Sequence, residues 1–275
     1  MVEKRVGIVT PLALEKVDIE FSESFIANFT YLQQHAHELP FKLKEIQKIT
    51  PQTFPIDANR NECIARIKKH DCDISVWFDA DQDLMNDATP ERKPDVLFRL
   101  LRDGYNYPIY AGMYYLKKAP FHPIVFNADS KFKQFRPIWR FPSDKLFYAD
   151  MIGMGCVKID RSVIDKLDPP YFRYNVMPKQ LAGLGDLARF KYENKVGDVS
   201  EDVAFWRQVK KITDDRIVVD PKIQVGHCTK NVITYGVFKA HLQGVLEQLK
   251  TQKGDKFDEW WETVCKAEEL CQETE

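Results

Sequence analysis

The sequence predicts an α/β fold, a mixed and mostly parallel sheet flanked by helices, with a helical C-terminal extension. Three observations predict it. Strand-like and helix-like stretches alternate from Arg5 to Asp81, as in a parallel sheet with helices packed on it. The apolar run Ile74–Phe78 passes directly into Asp79-Ala80-Asp81, as a buried strand does when it leaves a sheet at a site. The last forty residues keep only helical spacing.

The elements follow in order. Arg5-Val6-Gly7-Ile8-Val9-Thr10-Pro11 reads as a strand ended by proline. Phe21, Phe25, Ile26, Phe29 and Leu32 recur at helical spacing. Phe41 to Ile49 reads as a second strand. Asn59-Arg60-Asn61-Glu62 opens a second helix, with Ile64 and Ile67 on its inner face. The strand ending in Asp79 and Asp81 comes next. Thr89 is the expected N-cap of the following helix, with Pro90 at its first position and Gly104 beyond its end. Tyr107–Tyr115 is a strand, and residues 119–150 read as irregular. Gly153-Met154-Gly155 leads into a strand through Ile159. Arg161–Leu167 is a short helix, and residues 171–199 read as a mobile loop. Ser200 caps a helix with Val203, Phe205, Trp206 and Val209 inside. Two further strand segments, Arg216–Val219 and Ile223–His227, precede two amphipathic helices broken at Gly254. The expected division is 1–235 for the sheet domain and 236–275 for the helical extension.

Composition narrows the function classes. The chain has 275 residues, 44% hydrophobic and 29% charged, which suits a globular protein of one large or two small domains. Its net charge of −1 provides no global field to recruit nucleic acid or anionic lipid. No apolar run approaches the ~20 residues of a membrane helix, and no signal pattern opens the chain. The six cysteines form no Cys-x-x-Cys pair, so reduced thiols and a cytoplasmic location are expected. Asn28-Phe29-Thr30 fits a glycosylation acceptor only as sequence.

Four features carry the chemistry: Asp79-x-Asp81, Gly153-x-Gly155, Glu201-Asp202 behind Ser200, and Gly226-His227. Each has an ordinary explanation alone: a turn, a bulge, a helix-dipole pair, a satisfied histidine. In this order, with Arg60-Asn61 ahead of the central strand, they resemble the motifs of the GT-A glycosyltransferases, in particular the inverting group related to family 2. The resemblance covers roughly residues 5–230.

The resemblance implies a Rossmann-like GT-A sheet. It implies a sugar moved from a nucleotide-sugar, a UDP-sugar first, to a hydroxyl acceptor with inversion. It implies Mn²⁺ or Mg²⁺ held by Asp79, Asp81 and His227, the mixed carboxylate and imidazole set favouring Mn²⁺. Asp202, and less directly Glu201, would be the general base. Thr10, Arg60, Asn61, Asp79, Ala80, Gly153 and Gly155 would meet the donor, the glycines by close backbone approach.

Two other classes stay open. A metal-dependent nucleotidyltransferase of similar topology would carry a glycine- and arginine-rich loop after the first strand, where this chain has Thr10-Pro11-Leu12-Ala13. A nucleotide-sugar-binding protein without activity would not need the acidic set. The acceptor is a glycan, a protein or a nucleobase. Residues 131–141 interleave basic and aromatic side chains, which suits stacking on a base or on a sugar ring. Phe257, Trp260 and Trp261 lie among acids, which favours docking on the domain or in a homodimer over contact with anionic lipid.

Overall fold

In the computed structural model the described residues are 1–12, 17–88, 90–119, 121–129, 134–173, 200–213, 216–229, 234–254, 257–258 and 262. The N-terminal half alternates as the sequence predicts: β1 (Glu3–Val9), α1 (Ile19–His35), β2 (Lys42–Ile49), α2 (Ile56–Lys69) and β3 (Ile74–Phe78). A short strand β4 (Gln82–Asp83) follows the acidic turn, then α3 (Val96–Arg102) and β5 (Ile109–Met113). Next come β6 (Val125–Asp129), β7 (Gln134–Pro137), β8 (Phe147–Ala149), β9 (Met151–Ile152), β10 (Cys156–Asp160) and α4 (Arg161–Ile164). The chain ends with α5 (Glu201–Ile212), β11 (Ile217–Gln224), β12 (Gly226–His227) and α6 (Tyr235–Lys253).

Seven strands form the central sheet in the order β2-β1-β3-β10-β5-β11-β8. β1 pairs parallel with β2 and β3, and β11 pairs parallel with β5. β10 is antiparallel to both neighbours, and β8 is antiparallel to β11. Five strands therefore share one direction and two oppose it. The reversal of β10 has a local consequence. Cys156 pairs with Phe78, so β10 starts where β3 ends, and Gly155 lies beside Asp79. The architecture is Rossmann-like mixed α/β, compatible with the GT-A class.

Both faces of the sheet are covered, which is why β3 and β5 are buried at every residue. One core packs Trp77, Ile64, Ile67, Phe172, Phe205 and Trp206 on one side. The other packs Phe78, Phe41, Leu32, Phe98 and Leu101 against α1 and α3. Asn28 is 1% exposed; its amide donates to Ser24 and Leu84 carbonyls and accepts from Leu97 N–H, so it is a structural residue of this second core.

Four local expectations are corrected. Helix α3 begins at Val96 rather than at Pro90. Lys93 precedes Pro94 and is driven to extended backbone, where it bridges Asn86. Residues 119–150 are not irregular throughout: β6 joins β7 and β9 in a separate sheet, and β8 closes the edge of the central one. Helix α2 starts at Ile56, and Asn59 reaches back from its first turn to the Pro51 and Thr53 carbonyls. The two predicted strands around Pro221 are one strand, β11, with a register shift between Val219 and Gln224. Most of the predicted loop at 171–199, and most of the helix after Gly254, lie outside the described residues.

Between β5 and β10 the chain leaves and returns through a hydrogen-bonded neck. Ile124 N–H donates to Tyr114 O at 2.9 Å, Leu116 N–H to His122 O at 3.0 Å, and Gly153 N–H to Ile124 O at 3.1 Å. Among the described residues, no helix is long and apolar enough to cross a membrane. Leu242 of α6 packs in the small cluster around Tyr115, with Phe121, Trp139 and Phe141.

Candidate active site

Parallel topology brings the carboxyl ends of β1, β3, β5 and β11 to one edge, where Thr10, Asp79, Tyr114 and His227 follow in turn. The start of α2 faces the same edge and supplies Arg60. The start of α5 supplies Glu201 and Asp202. Ser200 fixes that start, its hydroxyl accepting from Val203 N–H.

Arg60 is the hub. It is 4% exposed, and its guanidinium donates to Asp79 Oδ1 at 3.1 Å, to Glu201 Oε1 at 2.8 Å and to Asp202 Oδ1. Its ring-side neighbour is Phe172, 5.8 Å from the guanidinium carbon. Burial alone would lower the Arg60 pKa. The charges of Asp79 and Glu201 more than reverse this, so it stands above its ordinary value. Arg60 thus binds three carboxylates together, and its guanidinium is committed to them rather than presented to a phosphate.

Asp79 answers in the opposite sense. Burial raises its pKa, Arg60 opposes the rise, and the Asp81 charge adds to it; the net direction is up. Asp81 is the ionised partner. Burial works against the charge, but His227 and Lys117 outweigh it and lower the pKa to about 2. Lys117 Nζ donates to Asp81 Oδ2. His227 Nε2 stands 3.6 Å from Asp81 Oδ1.

The β4–β12 pairing places these two side chains. Gln82 pairs with His227, and Cys228 N–H donates to Asp81 O at 2.7 Å. His227 Nδ1 lies 2.7 Å from Tyr115 O, a carbonyl that can only accept, so Nδ1 carries the proton. Nε2 is then the ring nitrogen turned toward Asp81. Asp81 Oδ1 is buried with no hydrogen-bond partner among the described residues. An unpartnered carboxylate oxygen facing an imidazole nitrogen is a donor set that fits a divalent cation. Among the described residues no group of three or more His, Cys, Asp or Glu side chains is arranged to hold one. Further ligands would have to come from a bound phosphate and water, as is common for Mg²⁺ sites.

The remaining predicted residues divide. Thr10, 3% exposed, and Ala80 lie at the edge beside Asp79. Asn61 is engaged elsewhere: its amide donates to Asp57 O and Phe172 O and accepts from Tyr171 and Phe172 N–H. That saturates it and ties residues 171–172 to α2, leaving no donor for a ligand. The glycines also have a structural reason. A Cβ on Gly153 would fall 1.9 Å from Tyr114 Oη, and one on Gly155 would fall 2.1 Å from Gln82 Nε2 and 2.8 Å from Asp79 Oδ2. The backbone there approaches the protein's own side chains.

Sequence reasoning missed Tyr114, Gln82 and Lys117. Tyr114 follows β5 directly, so the rule that sites gather at carboxyl ends of strands would have found it. Its hydroxyl accepts from Gly155 N–H at 3.2 Å, and its ring meets His227 edge-on at 5.4 Å. Gln82 is fully buried, one residue beyond the acidic pair. Lys117 carries no local signal.

The fold and site thus define a Rossmann-like α/β protein with a buried acid cluster at the carboxyl edge of its sheet. No family model and no curated protein matches the sequence. By structure the chain is similar to A197 from STIV, at 15% identity and a TM-score of 0.50, covering 84% of this chain and 93% of that one. Weaker likenesses include a glycosyltransferase involved in the glycosylation of the major capsid of PBCV-1, at 14% identity, 78% and 92% coverage and a TM-score of 0.31. Another is apo-UDP-glucose pyrophosphorylase, at 10% identity, 90% and 100% coverage and a TM-score of 0.39. The first is a likeness of fold alone; the other two are too distant to bear on function.

Proposed function

We propose that the chain is an inverting glycosyltransferase moving a sugar from a UDP-sugar to a hydroxyl acceptor. The observation that carries this reading is the Arg60 hub. It draws Asp79 from the end of β3 and Glu201 and Asp202 from the start of α5 into one cluster, beside Asp81 and His227.

In a single displacement the acceptor oxygen bonds to the anomeric carbon while the bond from that carbon to the diphosphate breaks. The diphosphate leaves with the electron pair, and the acceptor proton passes to a carboxylate. Asp202 is the better placed of the two acids. Its side chain is 19% exposed against 10% for Glu201, so it is the more open to an acceptor. Thr10, Ala80 and Asp79 would line the nucleotide. Asp81 Oδ1 and His227 Nε2 would hold Mn²⁺ or Mg²⁺, which when bound supplies Lewis-acid stabilisation of the leaving diphosphate.

The test is a panel of nucleotide sugars with Mn²⁺, scored for thermal stabilisation and slow donor hydrolysis, with Asp81→Ala as control. One UDP-sugar should stabilise the wild type and be hydrolysed, and Asp81→Ala should lose both effects. Turnover of a nucleoside triphosphate with a sugar phosphate, and none of any nucleotide sugar, would make the chain a nucleotidyltransferase instead.

A further inference from the structure

Lys117 stands outside every motif of the sequence, yet its ammonium rests on the carboxylate at the centre of the site. The two side chains are 35% and 39% exposed, so the pair contributes little to holding the fold together. Its position is nonetheless fixed. Lys117 lies one residue past Leu116, which the neck binds to His122, and two past Tyr115, whose carbonyl orients His227. The stretch Tyr115–Lys117 therefore sets both the imidazole and the ammonium on Asp81.

The two oxygens of Asp81 are differently used. Oδ2 accepts from Lys117, while Oδ1 faces His227 Nε2 and is buried without a hydrogen-bond partner among the described residues. A lysine ammonium on a flexible stem is a point charge that binds phosphate without demanding one geometry.

We propose that Lys117 receives the diphosphate of the donor, and that its ammonium and a divalent cation oppose each other across the Asp81 carboxylate. The proposal rests on reading this edge as a nucleotide-diphosphate site. Across one carboxylate a cation on Oδ1 and an ammonium on Oδ2 lie roughly 5 Å apart, and their repulsion weakens the cation by on the order of 10-fold even in a water-like medium. A diphosphate that draws Lys117 off Asp81 relieves the repulsion, so nucleotide and cation should bind cooperatively.

The test uses the full chain as wild type, Lys117→Met and Lys117→Arg, with UDP and Mn²⁺ as probes in calorimetry and Mn²⁺ spin resonance. With EDTA present, Lys117→Met should bind UDP about 10–100-fold more weakly than wild type, the usual scale for a lost charged hydrogen bond. Lys117→Arg should restore most of it. With Mn²⁺ alone, Lys117→Met should bind the metal about 10-fold more tightly. Its melting temperature should match the wild type. UDP bound equally by wild type and Lys117→Met overturns the role of Lys117 and leaves the nucleotide site standing. Unchanged Mn²⁺ affinity overturns the opposition between the two cations. Wild type that binds no UDP with or without Mn²⁺ overturns both this proposal and the reading beneath it.

Discussion

Arg60→Met is the perturbation that most directly questions the hub. The substitution keeps length and removes the cation. It leaves Asp79, Glu201 and Asp202 gathered in a space where Arg60 was 4% exposed. Removing one partner of a buried ionic group costs about 3–5 kcal/mol, because the other charges stay behind. In a chain of this size each kcal/mol moves the melting temperature by about 2–4 °C, so a fall of roughly 6–20 °C is expected at neutral pH. The pH dependence gives a second check. Asp79 already titrates above the ordinary aspartate value of 3.8, raised by burial and held back by Arg60. Without Arg60 it rises further. A carboxyl whose folded pKa exceeds its unfolded one adds stability at low pH and loses it as pH rises from the unfolded value through the folded one. The deficit of the variant relative to wild type should therefore shrink as the pH falls from neutrality toward the ordinary aspartate value. Melting curves of both proteins across that range are the assay. A loss below about 1 kcal/mol, or a deficit equal at both ends, would refute the hub as an organiser of ionised acids.

Four further outcomes are expected. Asp202→Asn should lower transfer about 10²–10⁴-fold with donor affinity nearly unchanged, and Glu201→Gln should do less; the reverse ranking in steady-state kinetics exchanges their roles. His227→Ala should abolish Mn²⁺ binding in calorimetry while the protein still melts cooperatively; wild-type affinity would remove His227 from the ligand set. Gly155→Ala should cost about 1–3 kcal/mol in denaturant titration, because its Cβ meets the buried Gln82 amide and Asp79, whereas Gly244→Ala, with open space around it in α6, should gain about 0.5–1 kcal/mol. The buried thiols Cys72, pushed up to about 11, and Cys156 and Cys228, pushed up to about 12, should resist alkylation near pH 8, with Cys72 at least about 100-fold slower than an exposed thiol; rapid labelling in mapped peptides would contradict this burial.

The half of the fold that was legible is the half whose elements alternate cleanly. Phe21 to Leu32 carries a helical periodicity because one face meets a core, although Ile26 is 65% exposed, and Ile74 to Phe78 is apolar almost throughout because it meets a core on each face. Ser200 announced α5 because a cap is a local chemical event. What escaped was set by partners distant in sequence. β7 contains Pro137, tolerable because that strand lies at the edge of its small sheet. Pro221 similarly sits where β11 shifts register. At the site, Asp79, Asp81, Glu201, Asp202 and His227 were legible as residue types in an order. The Lys117–Asp81 contact was not, because it depends on a turn 36 residues away. Arg60 was visible, but its commitment to three acids depends on a packing of α2 against α5 that no spacing encodes.

The neck between β5 and β10 has a consequence for how this architecture can be varied. The excursion departs at Tyr114 and comes back at Gly153, and both ends are laced to Ile124 by main-chain hydrogen bonds. Main-chain lacing is indifferent to side-chain identity. Of what it encloses, Tyr115 and Lys117 serve the site and β8 completes the central sheet, so only the chain between them is free to be lengthened, shortened or swapped. At the rim Tyr114 and Gly153 must change together, since the hydroxyl of one fills the space that a Cβ of the other would take. A chimera that keeps Tyr114–Lys117 and Phe147–Gly153 and exchanges only the chain between them leaves the acid cluster of β3, α2 and α5 untouched. Recombination inside those limits alters what the edge faces without altering the edge.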